Sequence, residues 1–154
     1  MQGDITSSGA VSHALAAHAI DCVLHFAASS HVQNSFDDAA SFTLNNVVGT
    51  QVLLESVRQH GRVKRFVHVS TDEVYGETNG EFLDETHAFH PTNPYSASKA
   101  AAEMYVHAYA KSFKIPTIIV RSNNVYGPCQ YPESESLPTP TPASQPPTHY
   151  QQLH

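Results

Sequence analysis

The stretch RFVHVSTDEVYGE, residues 65–77, decides how this chain folds. Its FVHVS core is an apolar, β-branched run with the length of a buried strand. The pattern then breaks. Thr71, Asp72 and Glu73 follow at once, and strand interiors do not favour adjacent carboxylates. A strand ending in three side chains that can donate, accept or carry a proton reads as a strand feeding a site.

Working outward, two more runs have strand length: CVLHFA at 22–27 and TIIVR at 117–121. Helical patterns lie between them. Ser7 or Ser8 can cap a first helix through about His18. Residues 37–60 place apolar side chains at Phe42, Val47, Val48, Val52, Leu53, Leu54 and Val57 and stop at Gly61. Within them TLNNVVGT is poor helix material, so a kink or break is expected near 45–49. Asn93-Pro94 is a cap followed by the residue best tolerated in a first helical turn, opening a helix through about Phe113. Alternating strands and helices predict an α/β domain with a parallel sheet. Such sheets bind ligands at the carboxyl ends of their strands. The polar clusters sit there: Ser29, Ser30 and His31 after the first run, Thr71–Glu73 after the second, Asn123 and Asn124 after the third.

Composition narrows the function classes. The 154 residues suit one domain, with a formal net charge of -6. No basic run interleaved with aromatics points to nucleic acid, and no apolar stretch approaches the ~20 residues that span a bilayer. The N-terminal MQGDITSSGA lacks a secretory pattern. Two cysteines, Cys22 and Cys129, make no disulfide framework, so a reducing, cytoplasmic setting is expected. Cys22 is expected as a buried small hydrophobe. From Ser134 the chain is rich in Pro, Ser and Thr, with Leu137 and Leu153 its only aliphatics larger than alanine. Residues 133–154 are therefore read as a disordered tail and 1–132 as the folded unit. Among the eleven histidines, His87 and His90 lie three apart without a third ligand nearby, and His25 and His68 fall within strands, so no metal site is expected.

Tyr95 and Lys99, in PYSASKAAAE, are four apart and share a helix face. A tyrosine with a resting pKa of ~10 is a poor base at neutral pH. A nearby ammonium lowers that pKa, and the pair can then take a proton from a hydroxyl while hydride leaves the same carbon. An ordinary surface helix can carry the same spacing, so the pair takes its weight from its neighbours.

Together, VLHFAASSHVQNSF, NNVVGTQVLLES, RFVHVSTDEVYGE, PTNPYSASKAAAE and RSNNVYGPCQYPE cover most of residues 25–133. They resemble the extended short-chain dehydrogenase/reductase family and, within it, the nucleotide-sugar 4,6-dehydratases that act on dTDP-glucose or UDP-glucose. The resemblance implies a partial Rossmann-like parallel sheet with flanking helices, and NAD as cofactor. It implies that Tyr95, helped by Lys99, deprotonates the sugar's 4-hydroxyl, that Thr71 bonds the 4-oxygen, that Glu73 removes the C-5 proton, and that Asp72 protonates the departing 6-hydroxyl. It further implies cofactor contacts at Asp4, Ile5, Ala27, Ala28 and Asn45, with Tyr95 and Lys99, and substrate contacts at Ser30 and Asn124, with Thr71. Epimerase relatives carry small residues where this chain has Asp72-Glu73.

The chain also departs from the family. None of its seven glycines falls in a G-x-G-x-x-G frame, the turn that cradles a pyrophosphate. In the family's strand order the first run here would pair with a central strand absent from this sequence and be left as an exposed edge, an aggregation hazard. The family's C-terminal lobe is missing too, so the sheet is expected to be truncated at both ends. A second expectation is therefore a non-catalytic fragment or isoform. It would associate as homodimer or heterodimer with a full-length relative through the 37–60 and 94–113 helices.

Overall fold

The computed structural model describes residues 2–78, Gly80, 82–125 and Pro128. The 133–154 stretch and Cys129 lie outside the described residues. The described elements run in the order α1 (Ser8–Ala17), β1 (Cys22–His25), α2 (Val32–Asp37), α3 (Ala39–Phe42), a π-helical stretch (Thr43–Val48), α4 (Gly49–His60), β2 (Arg65–Thr71), a 3-10 turn (Asp72–Tyr75), α5 (Pro94–Phe113) and β3 (Thr117–Ser122).

The three strands form one parallel sheet in the order β1-β2-β3. Cys22 stands opposite Arg65 and His25 opposite His68. Phe66 stands opposite Thr117 and Thr71 opposite Ser122. The α/β architecture expected from the apolar runs is thus the one observed. β1 is two residues shorter than its run, and among the described residues it and β3 are the sheet's two edges.

Period-two alternation divides each strand between two faces. Val23, Phe66 and Ile119 turn to one side and meet Val11 and Leu15 of α1, Leu53, Leu54 and Val57 of α4, and Val106 of α5. Leu54, Phe66 and Val106 have no exposed surface. On the other side Leu24, Ile118 and Val120 remain exposed.

Helix ends follow local chemistry. Ser7 caps α1 through its side chain, which accepts from Ala10 N. Asn93 and Ser96 form a reciprocal capping box on α5, with Pro94 in its first turn. The expected 37–60 helix is interrupted. Asp38 caps a fresh start at Ala39 by accepting from Ser41 N, so residues 32–37 form a separate turn of helix. The weak TLNNVV segment adopts the π conformation, a form found mostly as single turns and frequently at functional sites. At Gly49 a Cβ would collide with Ile5, so glycine there lets the N-terminal segment lie directly on the helix.

Candidate active site

β2 delivers Thr71 in extended conformation at the sheet's carboxyl edge, where it caps the 3-10 turn that follows. Its Oγ1 accepts from Glu73 N at 3.2 Å and donates to Asp72 Oδ1 at 3.3 Å. Gly76 closes the turn with φ +78, and a Cβ there would strike the His90 carbonyl. His90 N in turn donates to Val74 O at 3.0 Å. The returning chain is therefore pressed against the turn that carries the two carboxylates. Asn93 Nδ2 donates to Glu73 Oε2 at 3.2 Å, while Asn93 Oδ1 accepts from Ser96 N at 2.8 Å. One side chain both starts α5 and anchors Glu73.

Tyr95 and Lys99 follow on that helix, and both are buried. The Tyr95 ring meets Phe42 edge-on, with centroids 6.3 Å apart. Lys99 Nζ donates to Val69 O at 2.6 Å. Burial pulls the Lys99 ammonium down to about 8, against the opposing charge of Glu103. Glu73 is held above the ordinary carboxylate range, first by burial and then by the charge of Asp72, against the Asn93 bond. A carboxyl so placed is suited to exchange protons nearer neutrality.

One expectation is corrected. Tyr95 is not depressed; its hydroxyl is held above the usual phenol value. Burial is the main cause, the charges of Glu73 and Asp72 add to it, and the hydrogen bond with Thr71 opposes it. Lys99 is engaged with the Val69 carbonyl rather than with the phenol, so no ammonium offsets the burial of the Tyr95 hydroxyl.

A second cluster joins this one from β1. Asn46, fully buried, receives Ser29 N on its Oδ1 at 2.7 Å. Its Nδ2 donates to Ser29 O at 2.9 Å and to Ser98 Oγ at 2.8 Å. Ser98 Oγ donates to Tyr95 O at 2.7 Å. Asn46 thus ties the loop after β1 to the helix bearing Tyr95 and Lys99. Its neighbour Asn45, the expected cofactor contact, donates from Nδ2 to Ser29 Oγ at 2.9 Å. The signal for Asn46 was present, as a polar doublet inside an apolar helical pattern.

The remaining expected residues are distributed as follows. Ala27 and Ser30 are exposed and Ala28 is half-buried, all on the loop after β1. Asp4 accepts from Thr6 N and Oγ1, both at 2.8 Å, in an exposed turn, and Ile5 lies against Gly49. Asn124 is exposed, two residues beyond Ser122, and has no side-chain contact with the cluster among the described hydrogen bonds. His25 and His68 are buried, with rings 5.2 Å apart. His25 Nε2 pairs with Thr50 Oγ1 at 2.8 Å. Cys22, expected inside, is exposed. It stands at the first position of β1, which among the described residues is paired on one side only. Among the described residues no three His, Cys, Asp or Glu side chains gather as a metal site, and no helix is long and apolar enough to cross a membrane.

Fold and site together define a Rossmann-like domain of the short-chain dehydrogenase/reductase class. The family model for GDP-mannose 4,6 dehydratase matches residues 1–141, and the chain belongs to that family. It is 53% identical over 136 residues to the trifunctional UDP-glucose 4,6-dehydratase/UDP-4-keto-6-deoxy-D-glucose 3,5-epimerase/UDP-4-keto-L-rhamnose-reductase of Arabidopsis thaliana, covering 86% of this chain and 20% of that one. It is 50% identical over 133 residues to human dTDP-D-glucose 4,6-dehydratase, covering 86% and 38%. Among solved structures, dTDP-glucose 4,6-dehydratase DesIV of Streptomyces venezuelae, with NAD bound, superposes with TM-score 0.81 at 43% identity, covering 85% of this chain and 40% of that one. The chain thus spans well under half the length of these relatives.

Proposed function

We propose that this chain carries the acid-base apparatus of an NAD-dependent nucleotide-sugar 4,6-dehydratase, taking dTDP-glucose or UDP-glucose to the 4-keto-6-deoxy sugar. The observation that carries the reading is Thr71, Asp72, Glu73 and Tyr95 gathered at one strand end, with Glu73 perturbed upward by burial. An epimerase needs no such pair of adjacent carboxylates.

The nicotinamide end of the cofactor fits these residues. Lys99 has three N–H donors and gives one to Val69 O, so it can offer others to ribose hydroxyls. Ala27 and Ala28 permit close backbone approach after β1, Asn45 faces the cofactor from its helix, and Asp4 and Ile5 meet the adenine side. NAD held by these residues would supply the hydride acceptor for sugar C-4 and the hydride donor for C-6. Tyr95 takes the 4-hydroxyl proton as that carbon is oxidised, and Thr71 donates to the resulting 4-oxygen. The ketone acidifies the C-5 proton, which Glu73 removes while Asp72 protonates the 6-hydroxyl, so that water leaves. Glu73 then returns its proton to C-5 as C-6 is reduced. Ser30 and Asn124 contact the substrate. A positive charge brought beside Tyr95 on binding lowers its pKa toward the working range, which the protein alone does not do.

Residues 1–132 are the partial NAD-binding Rossmann-like domain, and the chain acts in the cytoplasm. Leu44, Val48, Met104 and Tyr105, exposed on the 37–60 and 94–113 segments, offer an apolar surface for pairing with a second subunit. The test is a calorimetric titration of the full chain with NAD, followed by assay for a 4-keto sugar from each nucleotide-glucose. Saturable heat near one site per chain and a 4-keto product are expected. Folded protein that gives neither heat nor product would overturn the reading in favour of a non-catalytic fragment.

A further inference from the structure

We propose that Arg121 is a positioning residue for the Asp72–Glu73 turn, fixing it against α5 and the returning 85–89 segment through one guanidinium. This rests on the dehydratase reading of that turn. Arg121 lies near the end of β3. Its Nε donates to Glu103 Oε1 and Oε2 at 3.2 and 3.0 Å, and its Nη2 to Oε2 at 2.8 Å. Its Nη1 donates to the Tyr75 hydroxyl at 2.5 Å and to Glu85 O at 3.2 Å. The guanidinium carbon also sits 5.1 Å from the Tyr75 ring centroid and 4.8 Å from that of Phe89. Glu103 has no side-chain exposure and Arg121 only 13%.

A buried ion pair is weak support for stability, because desolvating both charges offsets most of their attraction. What a planar fork adds is geometry, since it fixes several acceptors in one plane, as a lysine cannot. Here the acceptors belong to α5, the last residue of the 3-10 turn and the returning loop. Tyr75 is three residues from Asp72 and two from Glu73, so a clamp on Tyr75 sets the pitch of the turn. Arg121 touches neither carboxylate and acts only through this frame.

The test compares the full chain with Arg121→Lys and Tyr75→Phe, the latter removing one acceptor and leaving the Glu103 pair intact. Carboxyl NMR follows the titration of Glu73, whose facing groups are Asp72, Asn93 and Tyr95. Amide exchange follows Gly76 and His90, whose N–H groups bond Glu73 O and Val74 O. In Arg121→Lys, Glu73 should titrate at lower pH than in the parent, and the two amides should exchange about tenfold faster, the equivalent of one lost hydrogen bond. Tyr75→Phe should shift both in the same direction by less, with α4 amides keeping parental protection in both variants. Parental titration and exchange in folded variants would overturn the proposal. So would loss of α4 protection together with the turn, which would make Arg121 a general fold residue. If these shifts appear while the parent makes no 4-keto sugar, the positioning role stands and only the reading of the reaction falls.

Discussion

The carboxyl end of β2 and the free edge of β1 begin from similar sequences and end in opposite states. FVHVS and CVLHFA are both short apolar runs with one histidine. Flanked by strands on both sides, β2 feeds a turn whose Thr71 and Glu73 are hydrogen-bonded. Paired on one side only among the described residues, β1 leaves Leu24 61% exposed, and Phe26 just beyond it is 69% exposed. Yet His25 and His68, in register on the helix-covered face, are both buried. Position in the sheet and choice of face, rather than composition, decide what each run does. The site side is held by local polar bonds and by the α1-α4-α5 core, neither of which involves the uncovered face.

The contrast can be broken first at the site, where the largest effects are expected. Tyr95→Phe and Glu73→Gln should each lower turnover to the 4-keto sugar by about 10²–10⁴-fold, the usual worth of a positioned acid or base. They should differ in kind: with sugar present, reduced-nicotinamide absorbance should build up with Glu73→Gln and stay absent with Tyr95→Phe. Equal absorbance in both would show that the roles are misassigned.

Next is the core beneath the site. Leu54 has no exposed surface, so Leu54→Ala should lose about 2–5 kcal/mol in denaturant unfolding. A loss below about 1 kcal/mol would mean that α4 is not packed as described.

The buried histidines sharpen the comparison through pH. Burial and the Lys99 charge lower His25 to about 4 and His68 to about 3. Unfolded, each titrates near ~6.5, so below that pH the unfolded chain binds more protons. Their contribution is complete above the unfolded value and is lost as pH falls through the window toward 4 and 3. Urea midpoints should therefore drop from about pH 6.5 downward, and His68→Gln should flatten that slope. A slope unchanged by the substitution would place the titration elsewhere. The smallest effect belongs to the edge. Leu24→Lys should change unfolding free energy by no more than about 0.5 kcal/mol, as surface substitutions do, while reducing light scattering at high concentration.

Much of this was legible in residue patterns. The three runs, the Asn93-Pro94 start and the Thr71–Glu73 cluster each carry a local signal, because turn and cap chemistry acts over three or four residues. The π-helical stretch was visible only as weak helix material. The role of Asn46 was hidden because its bonds reach Ser29 and Ser98, seventeen and fifty-two residues away in the chain. Arg121 and Glu103 escaped for another reason: they are eighteen residues apart on different elements, and nothing in either neighbourhood announces the pair. The direction of the Tyr95 shift was equally out of reach, since it depends on burial and on carboxylates folded against the ring.

The most direct test of the central claim uses nucleotide-glucose carrying deuterium at C-4, followed by NMR of the product. The account predicts that the deuterium moves to C-6 of a 4-keto-6-deoxy sugar. Deuterium returned to C-4, as an epimerase would leave it, or no conversion by folded, NAD-supplied protein, would contradict it.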